Sequence, residues 1–155
     1  MSEIDFRDAV IDAGDGALLE RAMVAEMAEL YDGFDISSEG MPKAGPQEMN
    51  PPSGRFLVGY EDDRPICCGG IKRLDDESCE IKRMYVVPDA RGRGVAKALL
   101  RALEDRARAA GYLYTKLDTG PRQAGAQRLY ESVGYAPTEN FNGNPVAVFF
   151  GAKRL

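Results

Sequence analysis

Residues 86–96 read Val86-Val87-Pro88-Asp89-Ala90-Arg91-Gly92-Arg93-Gly94-Val95-Ala96, and the fold is decided here. Pro88 has no N–H to give to a ladder, so it ends the strand before it. Gly92 and Gly94 suit a tight turn and let a ligand reach the backbone with no Cβ in the way. Behind them, 94–110 (GVAKALLRALEDRARAA) predicts an amphipathic helix. Val95, Leu99, Ala102, Leu103 and Ala107 form its apolar stripe, and Lys97, Arg101, Glu104, Asp105 and Arg108 face away. Gly111 caps the far end, beside Arg106 and Arg108, where cations favour the dipole. The first N–H groups of such a helix have no intrahelical partner, and the positive end of the macrodipole stands behind them. Arg91, Arg93 and Lys97 add mobile positive charge, so the turn has the makings of a phosphate or pyrophosphate cradle. A bare turn is the plain alternative.

Upstream, the strand-like runs 55–60 (RFLVGY), 65–73 and 79–87 are separated by two short polar turns, which predicts an antiparallel meander. Asp75-Asp76-Glu77 reads as a solvated hairpin tip in preference to a metal site. Earlier still, Ile4, Phe6, Ala9, Val10 and Ile11 mark a first strand, and 13–31 reads as a helix. Glycines and prolines break up 33–54, which predicts a long loop with room for one short helix. Downstream, 112–117 (YLYTKL) predicts a strand and 122–133 a helix with the stripe Ala126, Leu129, Tyr130 and Val133. The run 146–150 (VAVFF) predicts a last strand. No repeat or linker divides the chain, so 1–155 reads as a single domain. The expected class is α/β, a mixed, mostly antiparallel sheet of six or seven strands flanked by about four helices.

Composition narrows the chemistry. The 155 residues are 44% hydrophobic and 29% charged, within the ordinary globular range. No apolar run approaches the ~20 residues that span a bilayer. The start of the chain has neither the basic segment nor the apolar core of a signal peptide, so the expected location is cytoplasmic. Cys67, Cys68 and Cys79 form no C-x-x-C pair and read as small buried strand residues. With no histidine in the chain, an imidazole base, a catalytic triad and a His-rich metal site are all excluded. No metal is expected. Residues 1–77 carry 7 Lys/Arg against 18 Asp/Glu, and the remainder 13 against 7. The basic half suits an anionic ligand, the acidic half could attract a cation, and the overall charge of −5 argues against nucleic acid.

The run Arg91-Gly92-Arg93-Gly94-Val95-Ala96 after a strand resembles the acetyl-CoA signature of the GNAT superfamily of N-acetyltransferases, Q/R-x-x-G-x-G/A. Residues 80–87 (EIKRMYVV) look like that family's central strand. Residues 123–131 (QAGAQRLYE), followed by Ser132-Val133-Gly134-Tyr135, look like its second motif, with Gln123 where the family has Asn. The likeness covers roughly 55–150. A Walker A loop lacks its Gly-Lys-Ser/Thr ending here, and Lys97 stands where a dinucleotide fingerprint needs a third glycine.

The resemblance implies a transfer from acetyl-CoA, as cosubstrate, to a primary amine of a small molecule or peptide. It implies cofactor contacts at Met84, Tyr85 and Val86, through the strand backbone, and at Arg91, Gly92, Arg93, Gly94, Val95 and Ala96. The N–H of Val86 would polarise the thioester carbonyl. An ammonium near pKa ~10.4 must lose a proton first, and Glu80 is the candidate base, directly or through water. Tyr130 would return a proton to the thiolate, since phenol and thiol differ by only ~1.5 units in water. The resemblance also implies a sheet that splays after the strand ending at Val87. Glu80 reads equally well as a solvated strand residue, and Tyr130 as a core residue on its helix's stripe. Neither a nucleic acid nor a membrane is expected as a partner, and a homodimer is compatible. The rival readings are a non-catalytic acyl-CoA-binding or sensing module, and a transferase using propionyl- or succinyl-CoA.

Overall fold

The computed structural model describes residues 3–123 and 125–155. Its strands are β1 (Asp5–Ala9), β2 (Gly54–Glu61), β3 (Arg64–Arg73), β4 (Ser78–Val86), β5 (Tyr114–Thr119), β6 (Ala136–Pro137) and β7 (Phe149–Arg154). They form one sheet in the order β1-β2-β3-β4-β5-β7-β6. Every pairing is antiparallel except that of β4 with β5. The helices are α1 (Gly14–Leu30), the short α2 (Pro46–Met49), α3 (Val95–Ala109) and α4 (Ala126–Ser132), with a single 3₁₀ turn at Pro88–Ala90.

The central strands are covered on both faces, so their residues are apolar almost without interruption. Period-two alternation divides them between two cores. Leu57, Cys67, Cys79 and Ile81 pack with Leu99, Leu100 and Leu103 beneath α3. Phe56, Val58, Cys68 and Tyr85 pack with Leu19, Met23 and Met49 beneath α1 and α2. The three cysteines are buried and unpaired. Burial pushes the thiols of Cys67 and Cys79 up to about 12. They are structural residues and poor nucleophiles.

Two irregularities prepare the site. Cys68 is opposite Tyr85 but Gly70 is opposite Lys82, so β4 holds one extra residue there, and Arg83 takes φ +60°. This bulge resets the alternation: Ile81 faces α3, and so do Met84 and Val86. Secondly, β4 pairs with β5 only over Ser78, Cys79 and Glu80, opposite Tyr114, Thr115 and Lys116. Beyond that point β5 continues beside β7 alone.

Glu104, expected to face away from the core, is buried and accepts from Tyr135 Oη at 2.8 Å and from Lys153 Nζ at 3.1 Å, and the other main departures from the sequence reading fall near the C-terminus. The run 146–150 is not a strand throughout. The Oδ1 of Asn144 accepts the N–H groups of Val146 and Ala147, at 3.0 and 3.3 Å, and β7 begins three residues later, at Phe149. Local side-chain acceptors competed with the ladder and won. The two-residue β6 was not expected. Of the predicted helix 122–133, only Ala126–Ser132 is helical; Arg122 and Gln123 lie in a turn, and Ala124 lies outside the described residues.

Candidate active site

Where β4 and β5 part, a cleft of about 960 Å³ opens. Residues 81–86 of β4 and the start of α3 form one wall. Asp118, Gly120 and α4 form the other, and α1 contributes Met23, Glu26 and Met27. The exposed edge of β4 is polar. Val87 donates its N–H to Ile66 on β3 at 2.9 Å. Successive amides point to opposite sides of a strand, so those of Val86 and Met84 face the gap, where β5 is no longer in reach.

That edge leads into the helix start. Gly92 and Gly94 adopt φ +77° and +79°, and Gly94 is the N-cap of α3. A Cβ built on either glycine would meet nothing within 4 Å, so the backbone is open to approach. The first closing bond of α3 is Ala98 N–H to Gly94 O at 3.1 Å, which leaves the amides of Val95, Ala96 and Lys97 without intrahelical partners. No side chain caps this end, and no acidic residue sits in its first turn. The positive helix terminus is therefore uncompensated, and fits a diphosphate.

Of the sequence-derived cofactor residues, Met84, Tyr85, Val86, Arg91, Gly92, Gly94, Val95 and Ala96 all line this cleft, and so does Tyr130. Arg91 donates through Nε to Val86 O at 2.9 Å and through Nη2 to both oxygens of Glu26, at 2.7 and 2.9 Å. Arg93 is not among the lining residues; its guanidinium pairs with Glu61 at 3.0 and 3.2 Å. Gln123 turns its Oε1 to the N–H of Gly120 at 2.8 Å, so it shapes the β5–α4 turn.

Tyr130 stands edge-on to Tyr135, with ring centroids 6.1 Å apart. Burial, and then the negative charge of Asp118, push its phenol up to about 12, so it is a proton donor throughout the neutral range. Glu80 is fully buried and lies outside the cleft lining. Its Oε2 accepts from Lys82 Nζ at 3.1 Å and from Asn142 Nδ2 at 2.7 Å, and Lys72 Nζ stands 3.8 Å from Oε1.

The same Asn142 Nδ2 donates to Asp118 Oδ2 at 2.7 Å, and Asn144 Nδ2 donates to that oxygen at 3.0 Å. Asp118, on the cleft wall, was missed by the sequence reading. Its only signal was a carboxylate near the end of a strand, and nothing local connects it to Asn142 across 24 residues. Among the described residues, no cluster of three or more His, Cys, Asp or Glu could hold a metal ion, and no helix is long and apolar enough to cross a membrane.

Comparison with known proteins agrees with this geometry. The model of the acetyltransferase (GNAT) family matches residues 22–135. An IAA acetyltransferase of Azospirillum brasilense is 38% identical over 108 residues, 66% of this chain and 70% of that protein. In fold, the chain resembles an acetyltransferase of the GNAT family from Staphylococcus aureus, with a TM-score of 0.78 at 16% identity over 99% of both chains. It also resembles a GNAT family acetyltransferase from Elizabethkingia anophelis solved with acetyl-CoA bound, with a TM-score of 0.71 at 19% identity over 100% of both chains.

Proposed function

This chain belongs to the acetyltransferase (GNAT) family, and from that premise we propose that it transfers an acetyl group from acetyl-CoA to a primary amine by direct attack on the thioester. The observation that carries this reading is the separation of β4 from β5, which leaves an unpaired strand edge running into an uncapped helix terminus. Acetyl-CoA supplies an activated acyl group attached to a thiol that leaves.

The amides of Val95 and Ala96, approached past Gly92 and Gly94, hold the diphosphate, with Lys97 beside them on the lining. The strand edge at Met84–Val86 receives the amide-bearing arm as an added strand. The Val86 N–H faces the gap and stabilises the oxygen charge that develops during attack. Arg91 holds Val86 O, so this donor is fixed before substrate arrives.

Proton handling falls to the two walls. Asp118 presents its carboxylate to the cleft, and Glu80, the base expected from the sequence, fixes Asn142 from behind. The ammonium first loses a proton toward Asp118, which frees the lone pair of the amine; as the N–C bond then forms and the C–S bond breaks, the nitrogen sheds its second proton and Tyr130 gives its phenolic proton to the leaving thiolate. Tyr130 then recovers a proton, so one is released per turnover. A phenol at about 12 is a weak acid against a thiol near ~8.5 in water. That transfer is uphill, so it depends on the phenol being positioned against the sulfur as the C–S bond breaks.

Titration calorimetry with acetyl-CoA, followed by a thiol-release assay over an amine panel, tests the proposal. The expected result is binding, with release well above the amine-free background for at least one amine. Binding with no release for any amine makes the chain an acyl-CoA-binding module. Faster turnover with propionyl- or succinyl-CoA would reassign the donor.

A further inference from the structure

Arg83 lines the cleft at the bulge of β4, on the α1 face with Tyr85. Its Nε is buried and has no hydrogen-bond partner. Glu20 and Asp35 act on the guanidinium only through space, and burial works against its charge. Of the other cations lining the cleft, Arg91 is engaged with Glu26, Arg122 with Asp32 and Lys82 with Glu80, and Lys97 stands at the start of α3 beside the diphosphate position. A buried cationic donor left unsatisfied is costly, and its backbone is held in the left-handed region that a non-glycine residue avoids. Both features mark a group placed for a ligand.

The surroundings define that ligand. Met23, Met27, Phe34 and Met41 give the neighbouring walls an apolar character. Asp118, held by Asn142 and Asn144, places negative charge on the opposite wall, close enough to raise the phenol of Tyr130. The cleft therefore offers a cation from β4, a carboxylate from β5, and apolar surface from α1 and the segment that follows it. No carboxylate is hydrogen-bonded to the Arg83 guanidinium, and its planar fork matches a carboxylate in two-point contact. A phosphate dianion would call for more positive charge than Arg83 supplies.

We propose that the acceptor is an α-amino acid with an apolar side chain, its carboxylate gripped by Arg83 and its ammonium directed to Asp118. This deepens the transferase reading and rests on it. Arg83 on this view determines specificity, by choosing amines that also carry a carboxylate.

The test is equilibrium binding in the presence of CoA, which allows a ternary complex without turnover. The probes are L-leucine, L-methionine and L-phenylalanine, with the amide of each. At least one acid should bind tenfold or more tightly than its amide. Arg83→Gln should remove that preference by weakening the acid while leaving the amide within about twofold. Arg83→Lys, which keeps the charge without the fork, should fall between them. A CoA-induced rise in melting temperature shows that each variant is folded. Equal binding of acid and amide, binding by none of the three acids, or a preference that survives Arg83→Gln overturns the proposal. Thiol release separates the two readings. A carboxylate preference in binding with no release from any amine leaves Arg83 assigned and ends the transferase reading. Rapid turnover of amines with no preference for the carboxylate does the reverse.

Discussion

Arg91 donates through Nε to the carbonyl oxygen of Val86 at 2.9 Å, tying the turn before α3 to the open edge of β4. The two halves of the proposed cofactor surface are thus held in fixed relation, with Glu26 of α1 anchoring the far side of the guanidinium. Arg91→Ala should weaken CoA binding by about tenfold, on the order of 1.4 kcal/mol. Arg93→Ala should change it by no more than about twofold, because Arg93 pairs with Glu61 outside the cleft lining. Titration calorimetry of both variants checks this, and equal losses would show that Arg93 leaves Glu61 for the ligand.

Gly94 should tolerate no side chain, even though the space around it is open. Its φ of +79° costs an L-residue roughly 1–2 kcal/mol, and a Cβ there would stand over the approach to the amides of α3. Gly94→Ala should lower the melting temperature by about 2–6 °C and weaken CoA binding. A thermal melt with and without CoA reads both effects.

Tyr130→Phe should lower kcat by about tenfold or more while the CoA Kd stays within about twofold. The phenol stands at about 12, so activity should show no alkaline loss from Tyr130 between pH 7 and 10. A fall in melting temperature with unchanged kcat would make Tyr130 a packing residue.

Asp118 and Glu80 should separate by phenotype. Asp118→Asn is expected to keep the fold and slow turnover, because Asp118 lines the cleft. Glu80→Gln removes the charge that compensates Lys82 and Lys72 in a fully buried site, and should cost about 3–5 kcal/mol. Urea denaturation and thiol release on both variants give the comparison. A stable, fully active Glu80→Gln protein would remove Glu80 from both roles.

Stability should fall at alkaline pH. The thiols of Cys67 and Cys79 are raised from 9.0 to about 12 in the folded state. Below pH 9 the folded and unfolded chains both hold these protons. Between 9 and 12 the unfolded chain releases them first, so each group lowers stability by up to roughly 1.4 kcal/mol per pH unit. Tyr130 adds to the slope above its ordinary value of 10.0. Urea midpoints at pH 8.5 and 10.5 measure the effect, and Cys79→Ala should show a shallower decline. A flat profile would mean that the thiols titrate at their ordinary values when folded.

Much of this molecule could be read from short segments. The strand–proline–glycine–helix run from Val86 to Ala96 needed only backbone chemistry, and it appears as β4, a 3₁₀ turn and α3. The runs 55–60, 65–73 and 79–87 could also be read as an antiparallel meander from the polar turns between them, although not which face of each would meet which helix. Local pattern failed where a side chain had a closer partner than the ladder did. Asn144 captured two amides of the run predicted as a strand, and Gln123 captured the N–H of Gly120 beside α4.

The sequence alone determined the glycine turn, the uncapped helix start and the absence of any histidine base, because each depends on residues within one or two turns of chain. Tertiary structure alone decided that Glu80 is sealed behind Asn142, that Asp118 lines the cleft, and that Arg83 lines it with its Nε unpartnered. These relationships join β4, β5 and the 141–144 turn across dozens of residues. Burial and through-space charge depend on how the sheet splays, and no local spacing encodes that.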